Sequence, residues 1–63
     1  GPITPKQKEQ LGRMCEKYGI ALKDGHMIAP VEGVIPTWMD MNLLTKNEAS
    51  RLYDKMKATL GKK

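Results

Sequence analysis

One cysteine, one histidine and one tryptophan are all this chain has of three residue types that often carry chemistry. With Cys15 alone, neither an internal disulfide nor a cysteine-based zinc site can form. His26 has no Ser or Cys nucleophile that the sequence places beside it, and no carboxylate pair has diagnostic spacing. Asp24 and His26 together make only a loose pair of metal ligands, short of a site. The phosphate-cradling pattern GxxxxGK[ST] is missing, and so is the glycine pattern of a dinucleotide site. No apolar run approaches the roughly 20 residues of a membrane helix, and no signal peptide stands out. The expectation is a non-enzymatic protein without cofactor, metal or membrane partner, in the cytoplasm, whether of its own cell or of an infected host.

The chain is also short. At 63 residues it makes one domain, and a domain of that size buries only roughly 60% of its unfolded surface. There is little room for the large pocket most enzymes use. Gly1-Pro2 has the look of a cleaved expression-tag remnant, which places the domain at residues 3–61.

What is present is two capped helices. Thr4 suits an N-cap, Pro5 suits the first helical position, and Gln7 completes a capping box. Leu11, Met14, Cys15 and Tyr18 follow at amphipathic spacing, and Gly19-Ile20 reads as a helix stop. The first helix is predicted over residues 5–18, with Gly12 as a candidate close helix–helix contact. In the second, Thr45 and Glu48 form another capping box. Ala49, Leu52, Tyr53, Met56 and Leu60 form its stripe, and Gly61 ends it. Neither helix holds alone in water, so the two stripes are predicted to share one core. Antiparallel packing and a more open crossing both fit.

Between them lie Lys23 to Asn42. Asp24-Gly25 reads as a turn. Met27-Ile28 and Val34-Ile35 are short for strands, yet a hairpin closed near Pro30 to Gly33 is allowed. Pro36 can instead open a short helical turn through Trp38 and Met39. The predicted fold class is mainly α: two amphipathic helices packed with an irregular middle segment holding a short helical turn or a tiny hairpin. Trp38 is expected chiefly as a plug that closes the core. The other reading makes Trp38, Met39 and Met41 an exposed partner-binding patch.

Charge supplies the functional hint. Lysine and arginine total 11 against 7 acidic residues, a net charge of +4. Lys6, Arg13 and Lys17 share one flank of the first helix with Gln10, and Arg51, Lys55 and Lys62 share a flank of the second. These six are the candidate nucleic-acid contacts. Ordinary solvated helix faces are the bland alternative, since Glu9, Glu16, Glu48 and Asp54 dilute the charge.

Thr4 with Gln7, Gly19-Ile20, Leu44-Thr45-Lys46 and Glu48-Ala49-Ser50 together resemble a small bacterial and phage module. Its halves run T-x-x-Q and L-T-K-x-E-A-S, and the resemblance spans most of residues 3–60. It implies an accessory role, alone or as the tail of a DNA-processing protein, and it brings no catalytic residues. Lys23 to Leu43 is longer than the module's usual link. Two functions follow as expectations. One is a non-enzymatic accessory module that contacts nucleic acid or associates with a DNA- or RNA-processing protein. The other is a protein-interaction adaptor or inhibitor, phage-encoded or modular, that uses the Trp38 region.

Overall fold

The computed structural model describes residues 1–61. Helix α1 spans Pro5–Lys17 and helix α2 spans Lys46–Leu60. Between them come three two-residue strands, β1 (Leu22–Lys23), β2 (Met27–Ile28) and β3 (Met39–Asp40), then a 3-10 turn over Met41–Leu43.

Both helices start as their sequences dictate. The Thr4 hydroxyl accepts the Gln7 amide at 3.1 Å, while the Gln7 side chain accepts the Thr4 amide at 3.1 Å. Thr45 and Glu48 repeat the exchange at 3.1 and 2.9 Å. Each box satisfies two amides that a helix start leaves without partners. Thr45→Ala should therefore cost about 1 kcal/mol in chemical denaturation, without changing the folded structure. At its other end α1 stops in a Schellman motif. Ile20 N–H donates to Cys15 at 2.7 Å and Gly19 N–H to Glu16 at 3.3 Å. Gly19 has φ +70°, the left-handed region in which a side chain is strained.

The middle segment holds a small three-stranded sheet, so the hairpin reading stands in part, with its turn at Asp24-Gly25 and not near Pro30 to Gly33, while the helical turn at Pro36 to Met39 is corrected. Asp24 and Gly25 have φ of 54° and 78°, and His26 N–H donates to Lys23 at 3.1 Å. Two successive positive φ angles give the tight turn whose twist suits an antiparallel hairpin. It pairs Leu22 with Ile28 and Lys23 with Met27. β2 then pairs with β3, Met27 opposite Asp40 and Ile28 opposite Met39. The strand order is β1-β2-β3. Val34-Ile35 does not pair with Met27-Ile28. It belongs to a separate loop that Val31 and Ile35 close with hydrogen bonds of 2.9 and 2.8 Å. That loop turns Val34 and Ile35 inward. The helical turn forms later than expected, because Asp40 caps Met41–Leu43 by accepting the Asn42 amide at 2.9 Å. Mainly α thus describes the two helices, not the middle.

The helices run in the same direction, so the antiparallel alternative does not hold. The Gln7 side chain donates to the Lys46 carbonyl at 3.0 Å, and Ile3 N–H donates to Leu44 at 3.0 Å. Both helix starts therefore lie together. At the far end the Tyr18 hydroxyl lies beside Gly61. The sheet and the 3-10 turn return the chain from the end of α1 to its beginning. Gly12 faces the Leu22 side chain, not α2.

The core unites all these layers. Leu11, Met14, Cys15, Leu52 and Met56 are buried, as their stripes predict, while Tyr18 and Tyr53 pack half-buried at the edge. Ile28, Ile35 and Met41 from the middle are equally deep. Trp38 does not close this core. It is 47% exposed, because strand alternation turns Met39 inward and Trp38 outward, and Ile28, Ile35 and Met41 already fill the interior.

Candidate nucleic-acid interface

Parallel packing decides which helix flanks meet. Gln10, Leu11, Ala49, Ser50 and Tyr53 line one half of a groove between α1 and α2. Gln10, Arg13, Met14, Lys17 and Tyr53 line the adjoining half. Tyr53 is the aromatic member of both. Leu11 and Ala49 lie at its floor because each is about 1% exposed.

A helix advances about 100° per residue, so residues three, four and seven apart share a face. With Tyr53 and Ser50 on the α1 side, Lys46 and Lys57 join them, seven residues before Tyr53 and four after it. Arg51 and Lys55 lie two residues either side of Tyr53, nearly opposite on the wheel. The structure therefore keeps Lys6, Arg13 and Lys17 on the groove flank of α1 and leaves Arg51 and Lys55 on the far flank of α2. Lys62 lies outside the described residues. Lys46 and Lys57 are two further cations that the sequence reading did not single out. Their signal was present in the spacing from Tyr53, but it needed the direction of α1 to be interpretable.

No carboxylate is among the groove's lining residues, although Asp54, four residues after Ser50 and three before Lys57, borders the same side of α2 among the described residues. Glu9 and Glu16 lie on the other side of α1, around Gly12, Ile20 and Leu22. Glu9 does reach Arg13, at 2.9 Å, but both side chains are largely exposed and such a pair contributes little. The Lys17 ammonium stands 5.6 Å from the centre of the Tyr18 ring, near the end of the groove. Comparison with protein-family models, with curated proteins and with solved structures returns no match.

The partner-binding candidates do not stay together. Trp38 is exposed, with the Lys23 ammonium 5.9 Å from its ring. Met39 is half-buried and Met41 is 1% exposed, so Met41 cannot belong to a surface patch. Its amide is fixed to the His26 carbonyl at 2.8 Å, which draws it under the sheet. Leu43, expected to pack across the helices with Trp38, Met39 and Met41, is instead an apolar surface residue at 80% exposure.

His26 pairs with a residue the sequence did not link to it. Its Nδ1 lies 3.0 Å from Asp40 Oδ1, with both side chains partly exposed. No hydroxyl or thiol is hydrogen-bonded to the ring among the described residues. No three His, Cys, Asp or Glu side chains converge there on a metal position either. The Asn42 amide holds the Asp40 carboxyl below its ordinary range; burial opposes it, and His26 and then Lys8 add smaller lowering effects. A carboxylate depressed by folding stabilises the native state above its unfolded pKa and loses that contribution as pH falls through the folded value. Thermal melts from about pH 5 down to about pH 2 should therefore show acid destabilisation that Asp40→Asn reduces.

Proposed function

We propose that this domain is a non-enzymatic accessory module that contacts nucleic-acid phosphates with the face shared by α1 and α2. One observation carries the proposal: Arg13 and Lys17 line a groove between the helices whose lining includes no carboxylate, and helical spacing sets Lys46 and Lys57 on the Tyr53 side of α2. Cations on a rigid scaffold meet phosphates without first folding, and each contact releases condensed counterions. The resemblance to the bacterial and phage T-x-x-Q and L-T-K-x-E-A-S module agrees with a place beside a DNA- or RNA-processing protein.

Fluorescence anisotropy of labelled duplex and labelled single strand at low salt tests it. Binding should tighten as salt falls. Lys17→Gln with Lys57→Gln should flatten the log K against log salt slope by about 0.7–0.9 per lysine. Arg51→Gln with Lys55→Gln should change it far less, because those side chains lie on the other flank. Absence of saturable binding to either probe at tens of micromolar, roughly within the ordinary range of non-specific affinity, would end the proposal.

Exposure of Trp38 favours a second reading, an adaptor that binds a protein partner. A half-exposed tryptophan with the Lys23 ammonium against its ring is a suitable anchor. Trp38→Ala should then leave stability within about 0.5 kcal/mol and abolish association with that partner. Unchanged association would remove this reading.

A further inference from the structure

Resting on the phosphate reading above, we infer that the α1–α2 groove takes a single strand of nucleic acid, with a base stacked on Tyr53. Packed helices lie about 8–10 Å apart and each is about 10–12 Å across with its side chains. The pair is therefore close to 20 Å wide, too broad to enter a major groove of about 12 Å. A duplex seated on the groove itself therefore rests across the two rims and leaves the floor unused. A single strand fits along the floor, where half-buried Tyr53 offers an aromatic face between Met14 and Ala49. Such faces stack any base without reading its sequence. Gln10 and Ser50 add hydrogen-bonding groups beside the ring.

The cations are spaced for a strand that follows the helices. Lys6 and Lys17 lie eleven residues apart on α1, and Lys46 and Lys57 lie eleven apart on α2. Eleven residues make three turns, so each pair shares a face, and the rise between them is about 16 Å. That length matches about five nucleotides stacked at about 3.4 Å each. Helical spacing thus sets Lys6 and Lys17 on one rim and Lys46 and Lys57 on the other, with the Lys46 side chain lying along Gly1, Asp54 beside Lys57, and the aromatic and amide groups between.

The test uses the full chain and labelled oligothymidylates of about three, six and twelve nucleotides, beside a duplex of the longest length. Affinity should rise to about six nucleotides and then level off for each bound protein. The single strand should bind several-fold more tightly than the duplex. Tyr53→Leu preserves apolar packing and removes the ring. It should weaken single-strand binding by about five- to a hundred-fold, leave the salt slope unchanged and leave duplex binding nearly as before. Tyr53→Phe should restore the single-strand affinity. Circular dichroism of each variant secures the folded state. If duplex binds as tightly as single strand and Tyr53→Leu weakens neither, the single-strand inference is overturned while the phosphate reading stands. If neither probe binds, the phosphate reading itself is lost.

Discussion

Ile28→Ala should leave most of the protein unfolded at room temperature. Ile28 has no exposed surface, although it sits in a strand only two residues long. Truncating a buried isoleucine costs about 2–5 kcal/mol, through lost burial and the cavity left behind. A single core below roughly 70–80 residues rarely supplies more than about 3–5 kcal/mol, so one substitution can remove nearly all of it. Leu11→Ala, from the centre of the α1 stripe, should do the same. Leu43→Ala is the control, because a side chain 80% exposed should change stability by less than about 0.5 kcal/mol. Urea denaturation curves for the three variants decide it. An Ile28→Ala variant that melts like the parent would show that the sheet is not part of the core.

Labelling of Cys15 by a thiol reagent should be slowed about a hundred- to several-thousand-fold relative to the unfolded chain. The thiol is 1% exposed, and burial pushes its pKa up, which lowers the thiolate fraction as well as access. Reaction then waits for opening, and about 1.4 kcal/mol of stability corresponds to each factor of ten in protection. Labelling therefore measures the same free energy as urea, at one position and without denaturant. Adding Ile28→Ala should bring the rate close to that of the unfolded chain. Rapid labelling of the folded parent would place Cys15 outside the core.

The helices were legible because their signals are local. Thr4 with Gln7, and Thr45 with Glu48, lie three residues apart, and each box closes within its own first turn. Gly19 and the stripe of Leu11, Met14 and Cys15 are equally short-range. The sheet was not legible, because two-residue strands have no periodicity to detect. Leu22 meets Ile28, and Ile28 meets Met39, only through pairing that the folded chain provides. Trp38 was misplaced for the same reason: without β3, nothing in the sequence says that Met39 faces in. The choice of flank on α2 is the step that spacing alone leaves open. Lysines and arginines occur on both flanks of α2, and only the direction of α1 selects Lys46 and Lys57 over Arg51 and Lys55. That direction depends on the Gln7 bond to Lys46, thirty-nine residues away in sequence.

The same direction of travel sets the order in which the fold can assemble. Two antiparallel helices joined by a short loop meet early, since their contacts are close in sequence. Here every contact between the helices must wait for a loop of some forty residues to close, and that entropy is lost before the packing is gained. The Asp24-Gly25 hairpin closes far sooner and gives α1 a surface to dock on. Refolding should accordingly be slower than for a helical hairpin of this length. Weakening that turn should slow folding, whereas loss of the Thr45 cap should mainly hasten unfolding.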